Sequence, residues 1–157
     1  MKILLIVVIG LLLFATVRML LYSKKSREGE PIGLVHEQLA KCPLKKNCVS
    51  SELEESSQYK VEPLAFTDLE GQQSWIRLRN ILIDLGGVIS RDDGQYMALT
   101  FTSQILGFVD DVECRLDKTH KKVRIRSASR VGYYDFSANR NRIERIRQIF
   151  DNLEFTE

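Results

Sequence analysis

Residues 108–129 read FVDDVECRLDKTHKKVRIRSAS, and the fold turns on how this stretch pairs with itself. Apolar and polar residues alternate with a period of two on both sides of a polar turn at residues 117–121, the pattern of an antiparallel hairpin. Pairing Leu116 with Val123 sets Cys114 opposite Ile125, Val112 opposite Ser127 and Asp110 opposite Ser129 on one face. That face is apolar near the turn and becomes polar at Asp110, Ser127 and Ser129. The other face carries Glu113 opposite Arg126, with Asp111 and Arg124 nearby.

The neighbouring segments supply partners for this hairpin. Upstream, residues 88–89 and 96–102 flank a turn at Asp92-Asp93-Gly94 and put Met97, Leu99 and Phe101 on one face. Before them, residues 69–85 predict a helix. Trp75, Leu78, Ile81, Leu82 and Leu85 fall on one side, Asp68 is a candidate N-cap, and Gly86-Gly87 stops it. Residues 59–66 read as a short first strand kept to an edge by Pro63, after an acidic, serine-rich loop at residues 50–57. Downstream, residues 138–153 predict a closing helix with Ile143, Ile146, Phe150 and Leu153 inward and Ser137 or Asp135 as cap. The order is β-α-β-β-β-α: an α+β domain in which one antiparallel sheet packs against two helices.

The N-terminus is of another kind. Apolar residues fill positions 3–17, and Met19 to Tyr22 continue them past a single Arg18. About twenty helical residues span roughly 30 Å, the thickness of a hydrocarbon core. Arg18 lies near the end, where its stem can snorkel to the headgroups. Residues 1–22 are therefore expected to be a membrane anchor that contacts the membrane through residues 3–22. Residues 23–39, polar and carrying Gly29, Pro31 and Gly33, read as a linker, and residues 40–157 as the soluble domain. A cleavable signal would need small residues at its cut site, which this segment does not supply, and Lys41 stands where a lipoprotein signal needs a small residue before Cys42.

A net charge of +2 in 157 residues, without a basic–aromatic stripe, argues against nucleic acid as a partner. No phosphate-binding loop, nucleophile elbow, zinc-protease motif or dinucleotide fingerprint is present, so no cofactor is expected. The histidines, His36 and His120, fall in the linker and a hairpin turn, which disfavours a His-based triad or metal site.

What remains is a polar constellation. Asp110 leans toward the core, where a carboxylate needs partners, and Ser127 and Ser129 lie across from it. Glu113 and Arg126 read as an ordinary cross-strand ion pair, worth a few tenths to about 1 kcal/mol. Arg130, Arg140 and Arg142 crowd the start of the last helix, where cations oppose the helix dipole. Either Asp135 and the Asp110-Asp111 pair offset them, or they await an anion. Cys42 and Cys48 have five residues between them. That spacing fits a small disulfide loop worth about 2 kcal/mol in an oxidising compartment, and equally two free thiols in a reducing one.

These residues resemble a known family. Cys42-Pro43, Asn47-Cys48-Val49-Ser50-Ser51, Phe108 to Glu113, Arg126-Ser127-Ala128-Ser129-Arg130-Val131-Gly132, Asp135 and Asn139-Arg140-Asn141-Arg142 are similar to the bacterial and plastid family known as domain of unknown function 1499. The resemblance covers residues 42–150 and implies no assigned activity. It implies that the cysteine pair and the two polar segments belong together, and that the setting is an envelope or a lumen. The chain departs from the pattern at Ser137, where a glycine is expected, and at Cys114, where an aromatic is expected.

The flanking charges Arg18, Lys24, Lys25 and Arg27 favour a cytoplasmic domain, whereas the cysteine pair and the resemblance favour the periplasmic or lumenal side. Long domains translocate despite flanking charge, so the far side is the reading adopted. The leading functional expectation is a non-catalytic envelope domain that engages an anionic small molecule, a lipid headgroup or an acidic protein through Arg126, Arg130, Arg140 and Arg142. The alternative is an enzyme with Asp110 as general acid or base beside Ser127 and Ser129. The candidate set comprises Asp110, Asp111, Glu113, Arg126, Ser127, Ser129, Arg130, Asp135, Asn139, Arg140 and Arg142, with no metal.

Overall fold

Alternation around a tight turn makes residues 108–129 the central ladder of the molecule. A computed structural model describes residues 1–54 and 57–154, with side chains through residue 152. Its elements in chain order are α1 (Lys2–Arg27), β1 (Leu34–Val35), β2 (Gln38–Leu39), β3 (Cys48–Ser50), β4 (Leu64–Ala65), α2 (Gln72–Asp84), β5 (Val88–Asp92), β6 (Tyr96–Thr102), β7 (Val109–Asp117), β8 (Lys122–Ser129) and α3 (Ala138–Glu154). Leu153, expected to point inward, has a side chain outside the described set.

Six strands form one antiparallel sheet in the order β3-β8-β7-β6-β5, with β4 also on β8. The β7–β8 register pairs Leu116 with Val123, Cys114 with Ile125, Val112 with Ser127 and Asp110 with Ser129, as the alternation predicts. Four strands, not the three of the expected order, lie between α2 and α3: β5 runs further than the expected two residues because a bulge at Ser90 lets it keep pairing with β6. β3 was not foreseen. Three residues are too few to show a period, yet Cys48, Val49 and Ser50 pair with Ala128, Ser127 and Arg126.

α2 and α3 cover one sheet face. Trp75, Leu78, Ile81 and Leu82 from α2 and Ile143, Ile146 and Phe150 from α3 meet Met97, Leu99, Val112, Val123 and Ile125 in a single core. α2 ends in a Schellman motif: Gly86 takes φ +93°, its N–H donates to Ile83 O, and Gly87 N–H donates to Leu82 O. Its start lies three residues later than expected. Asp68 still serves its first turn, accepting from the Gln73 and Ser74 N–H groups and the Ser74 hydroxyl.

The second sheet face is also covered. Residues 28–41 cross it as a strap, with β2 against β7 and β8 and Leu39 in a small cluster with Tyr96 and Ala98. Gly33 N–H donates to Glu113 Oε1 at 2.8 Å, and Leu39 N–H to Glu52 Oε2 at 2.6 Å. Residues 23–39, expected to be a linker, thus make specific contacts with the sheet.

α1 is long and apolar enough to cross a membrane, with a mean hydropathy of 2.8 over a window that is 0% buried. An export signal has the same properties. Arg18 Nη2 reaches one turn onward to Tyr22 Oη at 3.1 Å. The helix then runs on to Arg27, and its last turn is held by the domain: Ser23 and Ser26 are buried, and Val109 N–H donates to Ser26 Oγ at 3.2 Å.

Candidate functional site

Most candidate residues lie in the half of the β7–β8 ladder where β7 begins, from Asp110 to Glu113, and the sheet divides them. On the helix side, Asp110 Oδ2 accepts from Arg142 Nη2 at 2.7 Å. Arg142 Nη1 also donates to Ser127 Oγ (2.9 Å) and Asn139 Oδ1 (2.8 Å), and its guanidinium lies 4.8 Å from the centre of the Phe101 ring. Ser127 and Ser129 do not serve Asp110 as expected. Ser127 Oγ donates to Asn139 Oδ1, and Ser129 Oγ accepts from Asn139 Nδ2. Asp135 caps α3 through the Asn139 N–H at 3.0 Å and also accepts from Asn139 Nδ2 at 2.8 Å. A carboxylate just ahead of the first turn suits the positive helix end.

On the strap side lie two further pairs. Arg130 forms a forked contact with Asp111, with Nη2 at 2.7 Å and Nε at 2.9 and 3.0 Å, and its Nη1 donates to Ser26 O at 3.1 Å. Arg126 Nη1 donates to Glu113 Oε2 at 2.7 Å. Glu113 Oε1 takes the Tyr96 hydroxyl at 2.7 Å as well as Gly33 N–H. Burial, followed by that bond to the carboxylate, pushes the Tyr96 phenol well above its ordinary range and keeps it a donor. Burial and the nearby Glu113 charge likewise push up the Cys114 thiol.

Arg140 belongs to neither side. Its Nη2 donates to the carbonyls of Gln58 (2.6 Å) and Lys60 (3.0 Å), tying α3 to the loop before β4. Each of the four arginines expected to gather round an anion therefore has an acceptor within the protein, and the sheet separates Arg142 from Arg126 and Arg130. Carboxylates face three of them, Glu113 at Arg126, Asp111 at Arg130 and Asp110 at Arg142, whereas main-chain carbonyls hold Arg140 and Asp135 pairs with none of the four.

Asn47 was missed. Its Nδ2 lies near the carbonyls of Ser129, Val131 and Gly132, closest to Gly132 at 3.0 Å, and its own carbonyl accepts from Ser129 N–H and Asn139 Nδ2. Its place directly before Cys48, inside the recognised motif, was the available signal. Cys42 and Cys48 are joined in a disulfide with their Cα atoms 5.6 Å apart. The closed loop lies beside residues 129–134, with Lys46 N–H donating to Tyr133 O at 2.8 Å. The cysteine pair, the acidic strand and the arginine segment thus converge on one end of the sheet.

The family model for the protein of unknown function DUF1499 matches residues 38–150, and these hold the whole constellation. The chain belongs to the DUF1499 family. No curated protein matches it. The two positions at which the resemblance led to a different residue being expected can be located. Ser137 takes φ +64°, directly after Phe136 at +53°, in the region that favours glycine. Cys114 is fully buried between Met97 and Ile125 in the ladder. A disulfide is the mark of an oxidising compartment, which points outside the cytoplasm.

Proposed function

We propose that this protein is a non-catalytic envelope domain, held at a membrane surface in one orientation by an uncleaved α1, with its soluble part on the periplasmic or lumenal side. The observation that carries this reading is the junction between helix and sheet. Arg130 donates to Ser26 O, Arg27 Nε donates to Gly107 O at 3.2 Å, and Ser26 Oγ accepts from Val109 N–H. A tether that only raised local concentration would gain nothing from such a joint, whereas a domain that must present one surface would. The Cys42–Cys48 bond supports the far side. The bonds that engage Asp110, Ser127 and Ser129 within the protein weigh against chemistry at these groups.

The enzyme reading has less support. Asp110 Oδ2 is taken by Arg142, and both candidate serines are bonded to Asn139. A proton-transfer role would require breaking this network at each turnover.

The test is fractionation of cells that express the full chain. The expected result is an intact chain, Met1 included by mass, in membranes that resist alkaline carbonate, with the domain cleaved by protease added from the far side. A processed chain in the soluble fraction would sink the reading.

A further inference from the structure

α1 enters the domain at the sheet end where β7 begins and β8 finishes, because its last turn contacts Gly107, Val109 and Arg130. Three loops share that end. Residues 103–108 join β6 to β7, residues 130–137 follow β8, and the disulfide loop precedes β3, whose Cys48 pairs with Ala128. Each loop carries an apolar side chain outward: Leu44 is 100% exposed, Ile105 95% and Phe136 83%. Tyr133 and Tyr134 are more than half exposed beside them, and Tyr134 packs edge-on against Phe136 with ring centroids 5.0 Å apart. Phe136 and Ser137 take successive left-handed conformations, with φ +53° and +64°. Lys45 and Lys46 stand exposed on the disulfide loop, and Lys24, Lys25 and Arg27 on the last turn of α1, ahead of Glu28 and Glu30.

We infer that this end of the sheet is a bilayer-docking surface, whose apolar and aromatic loop tips enter the headgroup–acyl boundary while its lysines engage anionic headgroups. The inference rests on α1 spanning the membrane and adds to it a second, shallow attachment. Helix length requires the proximity. From Tyr22 to Ser26 the chain rises only about 6 Å. The headgroup layer on each side is on the order of 5–8 Å deep. The docked loops therefore lie within that layer, where tyrosine and other amphipathic rings are favoured. Lysines beside them suit anionic lipid. The internal bonds of Asn47 and Lys46 N–H join two of the tips into one platform, so the surface is formed before it meets lipid.

The test uses the full chain reconstituted in vesicles of phosphatidylcholine with and without phosphatidylglycerol, carrying acyl-brominated lipids that quench tryptophan on contact. The native Trp75 is buried in the core and supplies a constant background. Phe136→Trp and Ile105→Trp report on the proposed surface, and Leu69→Trp, exposed at the opposite sheet end, is the control. Quenching of the first two should exceed that of the control by about twofold or more, as for an interfacially seated side chain. Phosphatidylglycerol should strengthen it, and Lys45→Gln with Lys46→Gln should remove the strengthening. Vesicle flotation with equal quenching at all three positions overturns the inference and leaves the anchor standing. Failure to float with vesicles refutes the anchor. Loop protection only at high protein-to-lipid ratio assigns the surface to a second copy and overturns the inference.

Discussion

Arg126 Nη1 lies 2.7 Å from Glu113 Oε2 across the β7–β8 ladder, and the two side chains are 3% and 0% exposed. A pair so enclosed differs from the surface pair its spacing suggests. Removing one partner leaves a buried charge uncompensated, whereas replacing both can be close to neutral. Arg126 Nε is already buried without a hydrogen-bond partner among the described residues. Glu113→Leu or Arg126→Met alone should lower stability by about 3–5 kcal/mol, and the double variant should recover part of that loss, since the Tyr96 hydroxyl and Gly33 N–H still lose their acceptor. Urea titration of the full chain in detergent, arranged as a double-mutant cycle, measures the coupling.

Ser137 holds φ +64°, in the region that favours glycine. Serine's Cβ crowds the backbone there, and glycine relieves this at some cost in unfolded-chain entropy. Ser137→Gly should stabilise the protein by about 0.5–1 kcal/mol, read as a shift in the urea midpoint at unchanged slope.

The three cysteines should report separately. Native protein should label at none, because Cys42 and Cys48 are bonded and burial keeps the Cys114 thiol protonated. Reductant should add two labels and denaturant the third. Reduction should lower stability by about 2 kcal/mol, the chain-entropy value for so short a loop.

Acid should weaken the fold through Asp68, Asp93 and Asp117, each held below the ordinary aspartate range. At Asp117, burial raises the pKa, and bonds from His120 and Arg124 outweigh it. At Asp68, burial is likewise outweighed by the Ser74 hydroxyl and the backbone N–H groups of Gln73 and Ser74. At Asp93 the Tyr96 N–H leads the lowering. The unfolded chain therefore takes up protons first as pH falls. Stability from these groups is complete above about pH 4 and is lost as pH drops through the folded values. Asp117→Asn should flatten that acid limb, as followed by thermal melts between neutral and acid pH.

Arg140 closes the loop before β4 through two carbonyls. Arg140→Met should cost about 1–2 kcal/mol, the value of charged-donor bonds left unmade. Phosphate or sulfate should leave the wild-type melting temperature unchanged, since the guanidinium already has its acceptors. A rise with millimolar anion would support the anion-site reading.

The β7–β8 register, the helix-side core of Met97, Leu99, Val112 and Ile125, and the helical character of residues 72–84 were legible because strands repeat every two residues and helices every three or four. The long apolar N-terminal helix was legible from length alone. β1, β2 and β3 were not, since two or three residues carry no period and gain their pairing from distant strands. The cap of α3 was half legible. Asp135 and Ser137 were both candidates by residue type, and the left-handed turn at 136–137 left the role to Asp135.

By itself the sequence determined which residues share a face, because side-chain direction is a local property of the backbone. It did not determine whether a face is wet. Glu113 and Arg126 are enclosed because residues 28–41 return across the sheet some eighty positions from Glu113 in sequence, through contacts such as Gly33 N–H to Glu113 Oε1. The separation of the arginines by the sheet and the seating of Ser26 between Val109 and Arg130 arise in the same way. Burial and partner choice depend on what the rest of the chain brings alongside, and only the tertiary structure decided that.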